Sequence, residues 1–196
     1  MKFRTKQQYA LFGTSADPPT IGHKKILEEL SNIYSFTITY ASNNPQKKHK
    51  EDISIRSLLL KTLIEDLDNP KIIFNQKISS QWAIESIKKC KTLYKINNLD
   101  FVIGSDLITN IFSWKNFEQI IKEIKFFIIV REGYTIKSNT LLKLNQHKVN
   151  FQISTLDIPN ISSSMVRVNS SYSDLPRSLV EIVNTNNLYM SKKPVE

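Results

Sequence analysis

Short apolar runs alternate along this chain with longer stretches in which apolar residues recur every three or four positions. The short runs predict β-strands at residues 9–12, 36–41, 71–74, 99–103 and 126–130, and a less regular one at 149–158. The longer stretches predict helices at residues 22–34, 55–67, 82–94, 114–124, 141–144, 162–168 and 176–185. Such alternation is typical of α/β proteins.

The spacing of these elements also predicts how they are arranged. The connections between strands are long enough for parallel crossovers, which predicts a Rossmann-like, doubly wound, mostly parallel sheet with helices on both faces. Ligands bind such sheets at the carboxyl ends of the strands, near the point where the strand order reverses. The sequence contains no repeat, low-complexity block or linker, so we expect residues 1–196 to form one domain.

The sequence from Tyr9 to His23, Y-A-L-F-G-T-S-A-D-P-P-T-I-G-H, combines a strand, a polar turn and a helix start. Phosphate binds at such places because the first helical N–H groups lack partners and the helix dipole favours anions. His23 in the first helical turn could donate a hydrogen bond to a phosphate oxygen that gains charge in a transition state. A solvated loop with a capping histidine is the simpler alternative. The sequence lacks the P-loop and dinucleotide-binding motifs.

Three further segments carry candidate chemistry. The basic loop P-Q-K-K-H-K at 45–50, with Arg56 six residues later, would suit a polyphosphate or would simply be solvated. G-S-D-L at 104–107 places Asp106 after a buried strand, where it could bind ribose, and Trp114 could stack on a planar ring or anchor the core. I-S-S-S-M-V-R at 161–167 opens a short helix, and Arg167 could clamp a phosphate or lie on the surface.

Two of these segments resemble the signatures of the nucleotidylyltransferase superfamily. G-T-S-A-D-P-P-T-I-G-H is similar to G-G-x-F-D-P-x-[HT]-x-G-H, and I-S-S-S-M-V-R is similar to I-S-S-[ST]-x-[IV]-[RK]. The basic loop resembles P-x-x-x-H-K…R, and G-S-D-L followed by Trp114 resembles G-[AS]-D-x-L…W, both of nicotinate-nucleotide adenylyltransferases. The likeness departs at Ala16, where Phe is usual, at Thr20, an allowed variant of His, and at Ala83, where a threonine helps to hold the pyridine carboxyl group.

This resemblance implies transfer of the adenylyl group of ATP to nicotinate mononucleotide, giving deamido-NAD and pyrophosphate, with Mg²⁺ carried by ATP and no metal site of the protein's own. The implied catalytic residues are His23, Thr20 and Lys50. The implied ATP and phosphate contacts are Gly13, Thr14, Ser15, Asp17, Gly22, His49, Arg56, Ser162, Ser163, Ser164 and Arg167. The implied mononucleotide contacts are Gly104, Asp106, Trp114, Trp82 and Arg131.

Composition narrows the alternatives only slightly. The net charge of +9 favours anionic partners, but the aromatic residues are not interleaved with Lys and Arg as in nucleic-acid-binding surfaces. The single Cys90 excludes an internal disulfide and predicts a buried or half-buried thiol. The basic N-terminus lacks the apolar segment of a signal peptide and the run at 126–130 is too short to span a bilayer, so we expect a cytoplasmic protein without a membrane partner.

Three other functions stay open from the sequence. Phosphopantetheine adenylyltransferases share T-x-G-H, and nicotinamide mononucleotide could replace nicotinate mononucleotide as the acceptor. A basic nucleic-acid-binding module without catalysis is the alternative of another class, and it would show salt-sensitive retention on nucleic acid. Assembly into a homo-oligomer also stays open from the sequence.

Overall fold

Six parallel β-strands form one sheet in the computed structural model, which describes residues 7–130, 133, 135–169 and 172–189. They are β1 (Tyr9–Thr14), β2 (Phe36–Ala41), β3 (Ile72–Phe74), β4 (Leu99–Gly104), β5 (Lys125–Ile129) and β6 (Phe151–Ile153). Their order is β3-β2-β1-β4-β5-β6, and every pair of neighbours is parallel. This is the strand order of the doubly wound fold, which confirms the predicted fold class.

Helices cover both faces of this sheet. They are α1 (Ile21–Ile33), α2 (Ile53–Leu67), α3 (Ala83–Tyr94), α4 (Phe117–Glu123), α5 (Ser138–Gln146), α6 (Ser163–Asn169) and α7 (Arg177–Thr185). Side chains alternate between the faces of a strand, so Ala10 packs into the core beneath α1, α2 and α7, whereas Leu11 packs beneath α3, α4 and α5. Among the described residues, no helix is both long enough and apolar enough to cross a membrane.

Three elements depart from the predicted bounds by three residues or more. Strand β6 ends at Ile153, and the last ladder contact is donated by the Ser154 N–H to the Ile128 carbonyl, so the strand is much shorter than 149–158. Helix α4 begins at Phe117 because Asn116 takes a left-handed conformation with φ 58°, which leaves Trp114 in the connection before the helix. Helix α5 extends beyond the predicted 141–144 at both ends.

The point of reversal in strand order lies between β1 and β4. Leu11 is paired with Phe101, so Thr14 and Gly104, each three residues farther on, end their strands at the same level. The first and third candidate segments therefore leave the sheet side by side at its carboxyl edge. In this fold that edge is where ligands bind.

Candidate active site

His23 is held against the residue that caps its own helix. The main-chain N–H of Thr20 donates to Nδ1 of His23 at 3.1 Å, and Thr20 Oγ1 lies 2.8 Å from the same nitrogen. Since a main-chain N–H can only donate, Nδ1 must act as the acceptor, and the proton of the ring is carried by Nε2. The helix start therefore selects the tautomer in which Nε2 is the donor.

Asp17 is turned into the protein. Its side chain is 2% exposed, Oδ2 accepts the main-chain N–H of Lys50 at 2.7 Å, and Oδ1 accepts that of Glu51 at 3.2 Å. These contacts join the 15–20 loop to the end of the basic loop. The carboxylate was predicted from the sequence to contact ATP; its position instead favours a role in holding the two loops together.

His49 lies between the carboxylate of Asp17 and the buried guanidinium of Arg56. Its Nδ1 is 3.8 Å from Asp17 Oδ2, and among the described residues its buried Nε2 has no hydrogen-bond partner. Burial, followed by the charge of Arg56, lowers the pKa of His49 below its ordinary 6.5, while Asp17 opposes the shift. The imidazole is therefore neutral at physiological pH. Lys50, next in the chain, is exposed.

Arg56 is 1% exposed although its guanidinium is charged. It donates from Nε to the Glu51 carbonyl at 3.0 Å, and from Nη1 to the carbonyls of Ser15 at 2.7 Å and Ser42 at 2.9 Å. Three loop ends are thus fixed by one side chain. The sequence predicted a phosphate contact for Arg56, whereas these hydrogen bonds favour a role in shaping the loops that would surround the phosphates.

Helix α6 brings the second signature onto the first. Ser163 Oγ donates to the Pro18 carbonyl at 2.7 Å. Arg167 donates from Nη1 to the Asp17 carbonyl and from Nη2 to Ser164 Oγ at 3.0 Å, and Nη1 lies 3.8 Å from Asp17 Oδ2. Two segments far apart in the sequence are therefore in direct contact, which their separate patterns could not show.

Gly22 permits this contact. A Cβ built at Gly22 would lie 2.9 Å from the Ile161 carbonyl oxygen and 3.6 Å from that of Pro159. Gly13 has a comparable role at the end of β1, where a Cβ would be 2.6 Å from the hydroxyl of Tyr40. At both positions the glycine is needed for close packing within the protein; of the described glycines, Gly133 alone has a positive φ.

The remaining predicted phosphate contacts lie at the same edge. Thr14 ends β1, and its Oγ1 accepts the Ala16 N–H at 3.3 Å. Ser15 follows directly, and Ser162 precedes α6, where its Oγ accepts the Met165 N–H at 3.3 Å. The second and fourth candidate segments thus both contact the loop that follows β1.

The predicted mononucleotide residues lie farther along the edge. Asp106 is partly exposed in a short 3-10 turn after β4. Trp114 is half-buried and meets Phe101 and Phe126 edge-on at centroid distances of 6.1 Å and 6.3 Å. The core-anchor and stacking interpretations of Trp114 are compatible, because its ring packs against two buried rings while remaining only half-buried.

Trp82 caps α3, and the ammonium of Lys115 lies 4.8 Å from the centroid of its ring. This cation–π contact joins the start of α3 to the segment that carries Trp114. Arg131, also predicted to contact the mononucleotide, lies outside the described residues.

Motif analysis does not identify one further buried residue, which lies near Asp17. Tyr189 follows α7, is 4% exposed, and takes a left-handed conformation with φ 60°. Burial and then the neighbouring charge of Asp17 raise the pKa of its phenol. A tyrosine after the last helix belongs to no signature, and the only hint in the sequence is an aromatic residue close behind an amphipathic stretch.

Comparison with known proteins identifies the family to which this chain belongs. A sequence model of the cytidylyltransferase-like family matches residues 11–169, from β1 to the end of α6. The chain belongs to this family. The match confirms the resemblance to nucleotidylyltransferases, and it includes both signatures and the two candidate segments between them.

Its curated relatives narrow the comparison. A probable nicotinate-nucleotide adenylyltransferase of Synechocystis sp. is 30% identical over 173 residues, which cover 81% of this chain and 86% of that protein. One from Aliarcobacter butzleri is 30% identical over 181 residues, covering 88% and 92%. The chain is thus similar over most of its length to relatives that carry the same name.

Solved structures agree in fold. The nicotinic acid mononucleotide adenylyltransferase of Plasmodium falciparum, complexed with NaAD, superposes with a TM-score of 0.77 at 22% identity, over 94% of this chain and 98% of that one. A second structure of that enzyme, complexed with APC, gives a TM-score of 0.74 with the same coverage. At this identity the likeness establishes the Rossmann-like nucleotidyltransferase fold.

Proposed function

We propose that this chain is a nicotinate-nucleotide adenylyltransferase of NAD biosynthesis, which joins nicotinate mononucleotide to the AMP part of ATP and releases pyrophosphate. The observation that carries the proposal is the contact between the two signature segments, Ser163 to Pro18 and Arg167 to Asp17, beside the start of α1 at the sheet's point of reversal. The family and the names of the relatives agree with this activity.

The reaction needs positioning and charge neutralisation rather than a base. The 5′-phosphate of the mononucleotide is already an anion when it attacks the α-phosphorus of ATP in line, and pyrophosphate leaves on the opposite side. We assign to Nε2–H of His23 the hydrogen bond to the α-phosphate oxygen that gains charge. Thr20 orients that ring, and we assign to the exposed Lys50 a positive charge at the same phosphate.

The β- and γ-phosphates are assigned to the start of α6. Arg167 has five N–H groups, and its observed hydrogen bonds to Asp17 and Ser164 leave others for a phosphate. The hydroxyls of Ser162, Ser163 and Ser164 lie in the same segment. The same phosphates are assigned to the end of β1 and the start of α1, at Gly13, Thr14, Ser15 and Gly22. The loops around them are held by Asp17, His49 and Arg56.

The mononucleotide is assigned to the neighbouring part of the edge. Gly104 and Asp106 follow β4, where Asp106 would bind a ribose, and the half-buried rings of Trp114 and Trp82 are assigned to the pyridine ring. A contact from Arg131 stays a prediction from the sequence.

The metal is assigned to the substrate. Among the described residues, no three His, Cys, Asp or Glu side chains are grouped so that they could hold a metal ion. We propose that the divalent cation of the reaction is Mg²⁺ and that it arrives on the phosphates of ATP. A single domain over residues 1–196, a cytoplasmic location and a homo-oligomeric state stay predictions.

Pyrophosphate release from ATP and Mg²⁺ tests the proposal. Four reactions run in parallel, with nicotinate mononucleotide, nicotinamide mononucleotide, phosphopantetheine or no acceptor. We expect release with nicotinate mononucleotide and formation of deamido-NAD. Preference for nicotinamide mononucleotide would confirm adenylyl transfer but contradict the proposed acceptor. The test of the acceptor matters because Ala83 replaces the threonine that helps to hold the pyridine carboxyl group in the family. Release with phosphopantetheine, or with none of the acceptors, would contradict the proposal.

A further inference from the structure

The loop that links β1 to α1 is held from three sides through its own carbonyl groups. The carbonyl of Ser15 accepts a hydrogen bond from Arg56 and that of Asp17 accepts one from Arg167. The carbonyl of Pro18 accepts one from Ser163. The Asp17 carboxylate adds contacts in the opposite direction, to the main chain of the basic loop. Asp17 is therefore the residue at which the loop, the basic loop and α6 meet.

We propose that Asp17 is a positioning residue for adenylyl transfer, which sets the place of Lys50 relative to His23 and Arg167. The inference rests on the proposed function, and it assigns to Asp17 a role through other residues rather than a contact with ATP. With a side chain 2% exposed and both oxygens used by main-chain N–H groups, the carboxylate is built into the protein rather than offered to a ligand.

The geometry shows how Asp17 controls Lys50. Its Oδ2 fixes the main-chain nitrogen of Lys50 at 2.7 Å, and its Oδ1 fixes the next residue, Glu51, at 3.2 Å. Two anchored amides in succession define the direction in which the Lys50 side chain leaves the chain. Asp17 is also three positions before Thr20, whose main-chain N–H orients His23. The two residues assigned to the α-phosphate, Lys50 and His23, are therefore both positioned by the loop that links β1 to α1.

Charge strengthens this arrangement. The carboxylate lies 3.8 Å from Arg167 Nη1 and 3.8 Å from His49 Nδ1, and it opposes the lowering of the Arg56 pKa that burial causes. Removing one partner of a buried charge cluster leaves the others uncompensated. A neutral replacement would therefore leave the charges of Arg56 and Arg167 less compensated and would remove an acceptor that anchors the basic loop.

A double-mutant cycle on kcat tests the proposal. Asp17→Asn keeps the size of the side chain but replaces one acceptor oxygen by an NH₂ group that faces a donor. We expect Asp17→Asn to lower kcat about 10²-fold, because misplacement by about 1 Å has effects of that order, and Lys50→Met to lower it by a similar factor. If Asp17 acts by placing Lys50, the second change has less than about a threefold effect once the first is present.

Asp17→Glu separates position from charge. It keeps the negative charge beside Arg56 and Arg167 but cannot put both oxygens on the two amides, so we expect thermal stability closer to that of the unchanged protein while kcat stays low. Recovery of kcat by Asp17→Glu would overturn the proposal, because the charge alone would then suffice. Circular dichroism at the assay temperature confirms that each variant is folded.

Asp100 provides a matched control. It also carries a hydrogen-bonded carboxylate, which accepts the Tyr34 hydroxyl at 2.8 Å, but it lies near the amino end of β4, at the opposite edge of the sheet. Asp100→Asn and Lys50→Met should give independent factors in kcat. Fully multiplicative effects of Asp17→Asn and Lys50→Met would overturn the inference while the unchanged chain still releases pyrophosphate; no release by the unchanged chain would instead contradict the proposed function.

Discussion

The main-chain N–H of Thr20 donates to Nδ1 of His23, so the residue that caps α1 also decides which ring nitrogen carries the proton. A donor whose tautomer and orientation are fixed before the substrate binds needs no rearrangement during the reaction. We predict that His23→Ala lowers kcat for pyrophosphate release about 10²–10³-fold, as the loss of one transition-state donor typically does.

His23→Gln is the matched variant for this prediction, because its amide NH₂ can replace Nε2–H as a donor. It should retain more activity than His23→Ala, while thermal unfolding shows both to be folded. A loss of less than about fivefold in folded His23→Ala would remove His23 from transition-state stabilisation.

Gly22 and Ile161 fix the distance between the two signature segments. A methyl group at Gly22 would meet the Ile161 carbonyl oxygen at 2.9 Å, so Gly22→Ala must push the approach to α6 away from α1. We expect a destabilisation of about 1–3 kcal/mol, typical of overpacking, and a raised KM for ATP with a smaller change in KM for the mononucleotide. Urea denaturation and initial rates measure the two effects.

Gly133→Ala is the control for that substitution. Gly133 has φ +80° and no atom of the described residues lies within 4 Å of a built Cβ, so Ala there costs about 1–2 kcal/mol of backbone strain. KM for ATP should be unchanged in Gly133→Ala. An unchanged KM for ATP in Gly22→Ala would show that the distance from α1 to α6 does not control ATP binding.

Local patterns were sufficient to predict the strands, apart from the end of β6, and the strand-to-helix turn at residues 9–23. Hydrophobic periodicity reports which face of an element is buried, and β1 and α1 carry it clearly. The start of α4 was not predictable in this way, because it depends on Asn116 taking a left-handed conformation that its residue type permits but does not demand.

The burial of Arg56 and Asp17 could not be predicted from the sequence, for a different reason. The resemblance implies ligand contacts for Arg56 and Asp17, and nothing in the sequence indicates that their side chains are buried, since charged residues are mostly exposed. Their burial is compensated by partners as distant in the chain as Arg167, and such pairing has no local pattern. Tyr189 was missed for the same reason, since it joins the cluster only through the fold.

Trp114 is predicted to have two separable roles. Trp114→Ala removes a ring that packs edge-on against Phe101 and Phe126, so it should destabilise the protein by up to about 3 kcal/mol. It also removes the side chain assigned to the pyridine ring, so KM for nicotinate mononucleotide should rise more than KM for ATP. Initial rates with each substrate varied in turn provide the measurement.

Phe126→Leu controls for the packing effect. Phe126 is fully buried and meets Trp114 at 6.3 Å, so its truncation loosens the same cluster without removing a ring from the surface. It should lower stability but leave the ratio of the two KM values in place. Equal rises of both KM values in Trp114→Ala would assign Trp114 to the core alone.

Stability should fall on acidification because of His49. Burial and Arg56 hold the pKa of His49 in the folded protein below 6.5, so the unfolded chain binds the proton more tightly. The contribution of this group to stability is therefore fully present above pH 6.5 and is lost as the pH falls through the lower pKa of the folded state. Urea denaturation at about pH 5 and about pH 7.5 should show lower stability at the acid value.

His49→Asn cannot take up this proton, so its free energy of unfolding should depend less on pH over the same interval. His147 is the control, because it lies exposed beside Glu118, at the start of α4 and away from the Asp17 cluster. His147→Asn should leave the acid decline in place. If His49→Asn loses stability on acidification as steeply as the unchanged protein, the decline has another source, and the neutral state of His49 between Asp17 and Arg56 is not what acidification disturbs.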